Sequence, residues 1–482
     1  MLRKSLCLFL ILSVLCLAGC SSVENLTFEE LMEEVNAKHQ AVEQVTLDDI
    51  SKYEKDVKAL EESIKNYGKK TDEEYNPEKI LTREEAIEDV DFLFDMLYDC
   101  YGPYESMGGA KVFDVHEEKV KNKLQTYENL TAAKLEEILL EQLNFIQDGH
   151  FNINKNLLCK TKMPFFFRKV AFWKTRNGYE TTEGEVVESI EGYENIDALM
   201  KRSISPEGEL VYYPVILKDG DYWEALKGPQ TCDETLTIHY TNGKTQELEA
   251  EPYEMYVDPS LREPGGQMVA SRKYGEIPVF QFNTFDNAYL KETLEGAVTL
   301  KKAPISILDL RSNMGGSGII ASQWINRYTA DKIPRNTCWI DTWKGQRMSF
   351  AEDEWIEHDN RLIILTGKFT MSAAEWLLDY AYNVENVLIV GENTYGACIG
   401  NGGGTVSLPN SLCQISMGSG GFIAFPQDEE YFQELRGFCP DIWVPAGEAE
   451  DLVPRFLEHY GVRKAKIIKI SWISKFLKIH LI

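Results

Sequence analysis

The chain has 482 residues, of which 44% are hydrophobic and 26% charged, and its formal net charge is −27. Such a length suggests roughly two to four domains with a packed core. A charge this negative repels nucleic acid, so no nucleic-acid partner is expected.

Residues 1–20 have the pattern of a bacterial lipoprotein signal peptide. Basic residues precede an apolar stretch, Leu6 to Leu17, that is too short to span a bilayer comfortably. The stretch ends in Leu17-Ala18-Gly19-Cys20, which resembles the lipoprotein box, and Cys20 would then carry the lipid. An ordinary signal peptide or a membrane anchor is the alternative. The lipoprotein interpretation predicts an extracytoplasmic protein that is lipid-anchored to a bacterial membrane.

Two helical regions are predicted next. Residues 21–80 are acidic and polar, which favours a helical spacer that holds the body away from the membrane. Residues 81–155 form a helical module, because Thr82 to Glu85 is a capping-box pattern before apolar residues at helical spacing. A second helix of this module, Ala132 to Ile146, is expected to stop at Asp148-Gly149-His150.

Residues 156–262 change to a mostly β pattern. Three strand-like runs occur here, and a tight-turn signal follows the last of them. Parts of this insert are faintly similar to a PDZ domain, but no clear carboxylate-binding glycine loop is present. A PDZ-like fold and another small β domain both stay open.

Residues 263–450 alternate strands and helices. The strands are largely apolar, which predicts an α/β domain with a sheet buried on both faces. Residues 451–482 are predicted to form a basic amphipathic tail. It would lie on a membrane surface or pack as a terminal element.

Ser372 follows a β-type run and a brief turn, and a helical pattern starts immediately after it. A hydroxyl at this place lies beside free N–H groups and the positive end of a helix dipole, which favour a developing anion. The alternative is a simple helix cap, since Glu375 stands three residues on. Upstream, the turn Asp309 to Gly318 is rich in glycine, so its backbone N–H groups could approach a ligand and hold an oxyanion.

Four segments occur in a characteristic order: Asp309 to Gly316, Ser372 to Glu375, Val390 to Gly396 and Pro440 to Val444. Together they resemble the C-terminal processing proteases, or tail-specific proteases, and the related tricorn core protease, over roughly residues 80–447. The resemblance implies a ClpP/crotonase-like α/β core of mixed sheet and helices, with an N-terminal helical module and a PDZ-position insert. It also implies serine-type peptide hydrolysis without metal or cofactor.

The expected catalytic lysine is missing, because Ala397-Cys398 follows the Gly391 to Gly396 motif. The tricorn branch uses a histidine from the N-terminal module instead, and His150 stands at the matching place. Histidine as a residue type ordinarily titrates near neutral pH, which suits a general base. The resemblance further implies an acid that orients the imidazole, for which Glu434 matches best and Glu430 is the fallback.

The prediction is therefore a lipid-anchored serine endopeptidase with Ser372, His150 and Glu434 as catalytic residues. The N–H groups of Ala373 and of Gly315 or Gly316 would hold the oxyanion. The partners expected are a polypeptide substrate and a membrane. Cys20 would provide the membrane contact, and the tail is a second candidate for it; the sequence does not indicate the oligomeric state. The alternative is a catalytically inactive peptide- or lipid-binding lipoprotein on the same fold.

Overall fold

A computed structural model describes residues 26–43, 45–51, 53, 67, 74–262, 265–332, 334, 339–341, 346–348, 355–426, 428 and 430–462. The signal peptide with Cys20 and the tail beyond residue 462 lie outside these residues, so both stay predictions. Within the described part of the chain, we find no helix with the length and apolar character needed to cross a membrane.

The N-terminal segment is part of the folded body. Helix α1, Phe28–Ala41, starts at a Thr27–Glu30 capping box, and the short helix α2 spans Leu47–Ser51. The apolar face of α1 is buried in the same core cluster as the central sheet. The predicted spacer over 21–80 is therefore wrong for α1, because an apolar stripe among many charges buries against the core.

Residue His39 fixes the end of α1 to the catalytic domain. Its imidazole is buried, stacks on Tyr382 at 4.2 Å between ring centroids, and places Nε2 3.1 Å from Asp441 Oδ1. Asp441 belongs to the Pro-Asp segment noted in the sequence. Helix α1 is thereby held on an element of the domain that carries Ser372.

The N-terminal module consists of helices and two short strands. A Thr82–Glu85 capping box starts its first long helix, and its two short strands pair antiparallel. The elements are β1, Ile80–Thr82; α3, Arg83–Cys100; α4, Ala110–Leu124; β2, Asn129–Thr131; and α5, Ala132–Gln142. Two short strands follow the module, β3 (Asn152–Ile153) and β4 (Asn156–Leu157).

The insert is mostly β, as predicted. Its strands form two antiparallel three-stranded sheets, in the orders β5-β10-β9 and β12-β11-β8, and a β6-β7 hairpin. Its PDZ-like character stays a prediction. The elements are β5, Thr161–Phe166; β6, Trp173–Thr175; β7, Gly178–Glu180; β8, Val187–Ile190; α6, Ile196–Leu199; β9, Met200–Ile204; β10, Leu210–Gly220; α7, Tyr222–Lys227; β11, Thr235–Tyr240; and β12, Thr245–Glu249.

The α/β domain is built on a six-stranded sheet in the order β13-β14-β15-β18-β19-β24. The first pair is antiparallel and the other pairs are parallel. The elements are β13, Val269–Tyr274; β14, Ile277–Phe282; α8, Leu290–Leu300; β15, Ile305–Asp309; α9, Gly318–Tyr328; β16, Trp339–Asp341; β17, Gln346–Met348; β18, Arg361–Thr366; α10, Ala373–Ala381; β19, Val387–Gly391; β20, Gly400–Ser407; β21, Gln414–Ile423; β22, Phe432–Gln433; β23, Gly437–Phe438; β24, Ile442–Trp443; and α11, Ala449–His459.

The sheet is buried on both faces, as the apolar strands predicted. Every residue of β15 and β19 is buried, and α8, α9 and α10 share one core cluster with the sheet while α1 and α11 share another. Helix α11 lies in the region predicted as a basic tail. Residues 451–459 pack as a terminal element, which was one of the two alternatives for this region, because Leu452, Val453, Phe456 and Leu457 lie in the core.

A second sheet joins the helical module to the α/β domain. Its order is β17-β16-β21-β3-β4, with β20 also paired to β21. Strand β3 pairs with β21 through Ile153–Ile415 and Asn152–Ser416. Since β3 begins two residues after His150, this pairing carries that histidine into the α/β domain.

Candidate active site

Ser372 stands at a strained turn between strand β18 and helix α10. Its φ is 56° and its ψ is −122°, a backbone conformation that residues with a Cβ seldom adopt and that costs roughly 1–3 kcal/mol. The backbone N–H of Ser372 donates to Glu375 Oε2 at 3.0 Å, and the N–H of Met371 donates to the Asn313 carbonyl at 3.0 Å. These contacts hold the turn so that the serine side chain faces a cavity.

The Ser372 hydroxyl meets His150. The distance from Ser372 Oγ to His150 Nε2 is 3.1 Å, although the two residues are 222 positions apart in the chain. Strand pairing of β3 with β21 delivers the imidazole, whose side chain is 30% exposed. The structure thus brings together the two residues predicted as nucleophile and base, and the serine hydroxyl lies within hydrogen-bonding distance of the imidazole.

The acid facing His150 is Asp148 rather than the predicted Glu434. Asp148 Oδ1 lies 3.7 Å from His150 Nδ1 and also accepts the backbone N–H of His150 at 2.8 Å. Asp148 Oδ2 accepts the Tyr101 hydroxyl at 2.9 Å, and the carboxylate is buried. His150 Nδ1 is buried without a hydrogen-bond partner among the described residues. A modest movement of the imidazole or the carboxylate would complete this pair.

Glu434 accepts hydrogen bonds from backbone N–H groups rather than from His150. Its carboxylate accepts the N–H groups of Gly149 at 2.9 Å, Cys398 at 3.0 Å and Ile399 at 3.1 Å. Burial and the charge of Asp148 raise the pKa of Glu434 well above its usual range, against these three donors. The predicted hydrogen bond from His150 to Glu434 is not found in the described part of the chain.

Glu434 therefore ties the histidine segment to the Ala397-Cys398 segment through hydrogen bonds to their backbone. The fallback Glu430 is exposed and contacts Lys38 and Lys201, so it has no place in this site.

Fewer backbone N–H groups are available to hold the oxyanion than the sequence predicted. Gly315 has a φ of 88°, and its N–H already donates to Asn313 Oδ1 at 2.8 Å, so it is not available to a substrate. Gly316 and Ala373 both line the cavity at Ser372, and among the described residues no protein acceptor contacts either N–H. A Cβ on Gly316 would lie 2.7 Å from the Phe285 carbonyl oxygen, which explains the glycine.

The cavity at Ser372 is small and mixed in character. Its volume is about 140 Å³, and its lining includes His150, Gly316, Ser372, Ala373, Trp376 and Cys398. One ligand atom from each of Asp148, His150 and Glu434 lies within 4.8 Å of the others, a spacing that could hold a metal ion. Because the Glu434 oxygens are already bonded to three amides, this set is better suited to holding the imidazole than an ion.

A buried network of charged side chains lies beneath the serine. The Glu375 carboxylate accepts Thr394 Oγ1 at 2.5 Å and the N–H groups of Gly396 at 2.7 Å and Ala397 at 2.9 Å, besides that of Ser372. Glu375 thus caps its own helix, as the spacing predicted, and also fixes the segment that follows the Gly391 to Gly396 motif.

Lys368 belongs to the same network. Its Nζ donates to the carbonyl oxygens of Thr394, of Tyr395 at 3.3 Å and of Arg436 at 3.3 Å. Burial lowers the pKa of Lys368 to about 7, although the charges of Glu375 and Glu392 oppose this shift. Among the described residues it makes no hydrogen bond to Ser372, so Lys368 does not replace the missing lysine base.

Sequence reasoning missed Asp148 and Lys368 for different reasons. Asp148 had a usable signal, because an acid two residues before a catalytic histidine can reach the ring through a turn. Lys368 had none, since only the packing of Thr394 to Arg436 above it reveals that the lysine is buried.

Comparison with known proteins gives one family match. Residues 273–438 match the model of Peptidase family S41. No curated protein matches the chain.

Among solved structures, mature CPAF is 14% identical, with 80% of this chain and 99% of CPAF covered and a TM-score of 0.43. The photosystem II D1 C-terminal processing protease is 12% identical, with coverages of 77% and 96% and a TM-score of 0.37. The tricorn protease is 13% identical, with coverages of 79% and 36% and a TM-score of 0.37. Residues 273–438, which include Ser372, are therefore similar to the peptidases of Peptidase family S41.

Proposed function

We propose that this chain is an extracytoplasmic, lipid-anchored endopeptidase in which Ser372 is the nucleophile and His150 the general base. The single observation that carries the proposal is the 3.1 Å distance between Ser372 Oγ and His150 Nε2 at a strained turn. A histidine in place of the lysine puts the chain nearer to the tricorn branch of its family.

The reaction follows from the positions of these atoms. Ser372 Oγ attacks the peptide carbonyl carbon while its proton passes to His150 Nε2. The carbonyl oxygen becomes an oxyanion that the N–H groups of Gly316 and Ala373 stabilise. His150 then gives the proton to the leaving amine, the peptide C–N bond breaks, and an acyl-serine remains. Water attacks the ester with His150 again as base, which releases the acid product and restores Ser372.

Asp148 is the residue proposed to hold the imidazole. For Nε2 to accept the serine proton, the neutral ring must carry its proton on Nδ1, the atom that faces Asp148 at 3.7 Å. The carboxylate favours this tautomer and stabilises the imidazolium that forms. Catalytic hydrogen bonds of this kind are often long before substrate binds. Glu434 supports the arrangement indirectly, through the backbone of Gly149.

The anchor and location rest on the sequence of residues 1–20, which ends in a lipoprotein-box pattern at Cys20. Replacing Cys20 with serine in the full-length chain is expected to move the protein from the membrane fraction to the soluble fraction while labelling of Ser372 persists. Unchanged membrane association of Cys20→Ser would refute the lipid anchor without touching the peptidase proposal.

A fluorophosphonate probe tests the nucleophile and base directly, because it reacts with activated serines. The parent chain is expected to label, while Ser372→Ala and His150→Ala are expected not to. Matched controls are Ser322→Ala, at a half-buried position of α9, and His239→Ala, on β11 with a side chain that is 36% exposed, which should both label like the parent. Labelling of Ser372→Ala at the parental rate would exclude this serine, and parental labelling of His150→Ala would exclude the histidine as base.

A further inference from the structure

A second, larger depression adjoins the small cavity at Ser372. Its volume is about 1370 Å³, and we refer to it as the trough. One side is lined by Ala41, Glu43, Val45, Thr46, Asp49 and Tyr53, and the other side includes Ile399, Phe422, Phe425, Asp428 and Phe432. Ile423 lines both the trough and the catalytic cavity. The Ile423 N–H donates to the Ile399 carbonyl at 2.8 Å, so the wall between the two spaces is held rigidly. The trough and the catalytic cavity are therefore adjacent, on either side of Ile423.

The floor of the trough is apolar. Phe425 and Phe432 stack with ring centroids 4.1 Å apart, and Phe422 meets Tyr53 edge to face at 5.0 Å. Ile399 and Ile423 complete this surface next to the catalytic cavity. A volume of this size exceeds the roughly 300–1,000 Å³ typical of sites for small molecules, and it suits several residues of an extended peptide.

The rim of the trough is acidic. Glu43, Asp49 and Asp428 are exposed at its edge. In the described part of the chain, no lysine or arginine lines the trough. The formal charge of the whole chain is −27, so the local charge has the same sign as the general field. Partners with positive side chains are therefore favoured here, and those with carboxylates are repelled.

We propose that the trough binds the part of the substrate next to the scissile bond and selects extended polypeptide in which apolar side chains stand beside lysines or arginines. The apolar side chains cover the phenylalanine floor, and the cationic ends reach Glu43 and Asp428 at the rim. Lysine and arginine suit such a place, since their stems lie on apolar surface while their charges stay in water. This inference rests on the proposed peptidase function and names its substrate class.

Matched fluorogenic peptides test the selection. One series keeps a fixed apolar core and carries lysine, glutamine or glutamate at the flanking positions, on either side of the core. The parent chain is expected to cleave the lysine peptides about 10-fold better in kcat/KM than the glutamate peptides at low ionic strength, through KM, and the ratio should shrink in high salt. Replacing the apolar core with serines should lower kcat/KM further.

Substitutions in the protein test whether the acidic residues of the trough cause the lysine preference. The double variant Glu43→Gln with Asp428→Asn is expected to lose most of the lysine preference, measured as the ratio of kcat/KM for the lysine peptide to that for the glutamate peptide. Glu247→Gln, an exposed acid on β12 of the insert, is the matched control and should keep the preference. Equal cleavage of lysine and glutamate peptides by the parent, or an unchanged preference in the double variant, would overturn the inference.

The peptide assay distinguishes failure of the peptidase proposal from failure of the trough inference. If Ser372→Ala still cleaves the peptides, the peptidase proposal is wrong, whatever the charge preference. If cleavage depends on Ser372 but ignores flanking charge, only the trough inference is lost.

Discussion

Replacing Gly149 with alanine should disable the site by crowding alone. A Cβ at this position would lie 2.7 Å from the Ala397 Cβ, 2.8 Å from the Gly396 carbonyl oxygen and 2.8 Å from Tyr395 Cε1. Non-bonded carbon atoms normally stay about 3.5–4.0 Å apart. Gly149 is not among the glycines with positive φ, so its backbone conformation is open to alanine and sterics are the only obstacle.

The magnitude follows from what must move. Gly396 and Ala397 are fixed by hydrogen bonds from their N–H groups to the buried Glu375, so this wall cannot retreat without breaking them. Overpacking of this kind costs about 1–3 kcal/mol of unfolding free energy. The strain falls on the residue next to His150, and a displacement of about 1 Å in a catalytic group lowers the rate roughly 100-fold. We expect both effects in Gly149→Ala.

The assay compares two glycine variants. Gly228→Ala is the control, because its φ of 171° is extended backbone and nothing lies within 4 Å of its Cβ position. Urea unfolding and kcat/KM on one peptide are measured for both. Gly228→Ala should behave like the parent, while Gly149→Ala should be less stable and about 100-fold slower. Parental kcat/KM in Gly149→Ala would show that the Tyr395–Ala397 wall does not set the position of His150.

Two further predictions concern buried charges and pH. Burial alone would raise the pKa of Asp441, but His39 and Lys38 outweigh it and lower the value to about 2. The ionised carboxylate thus stabilises the fold above the ordinary pKa of 3.8, and about 2 kcal/mol should be lost as pH falls towards 2. Asp441→Asn should lack this acid limb in unfolding experiments, and parallel curves for the two proteins would contradict the ion pair. Burial lowers the pKa of Lys368 to about 7 from its ordinary 10.5, so over this window the unfolded chain binds the proton more tightly. The unfolding free energy of the parent should therefore rise with pH relative to Lys368→Met, and a relative fall would refute the buried position.

Local pattern was enough for most of the α/β domain. The apolar runs at β14, β15, β18 and β19 are strands that are fully or almost fully buried. They can be recognised in the sequence because a strand covered on both faces is apolar along its whole length. The capping box at Thr82 also marked the start of α3 correctly. Periodicity and capping are properties of neighbours in the chain, so they survive without knowledge of the fold.

Segments whose burial depends on distant partners were predicted less well. Helix α1 carries many charges, and its apolar stripe gave no sign that a sheet some 250 residues later would cover it. The same holds for helix α11, whose apolar residues lie in the region predicted as a basic amphipathic tail. For such elements the polar face dominates the composition, while the narrow apolar face decides the structure.

The sequence alone determined the chemistry that is possible here: a serine at a strand-to-helix turn, a histidine upstream, glycines that allow close approach, and no lysine after the Gly391 to Gly396 motif. Tertiary structure decided which groups meet. The pairing of β3 with β21 sets the distance from His150 to Ser372, turns Asp148 towards the imidazole and leaves Glu434 to hold three amides. Hydrogen-bond partners of a side chain depend on separations of a few tenths of an ångström between residues far apart in the chain, and no local pattern encodes such separations.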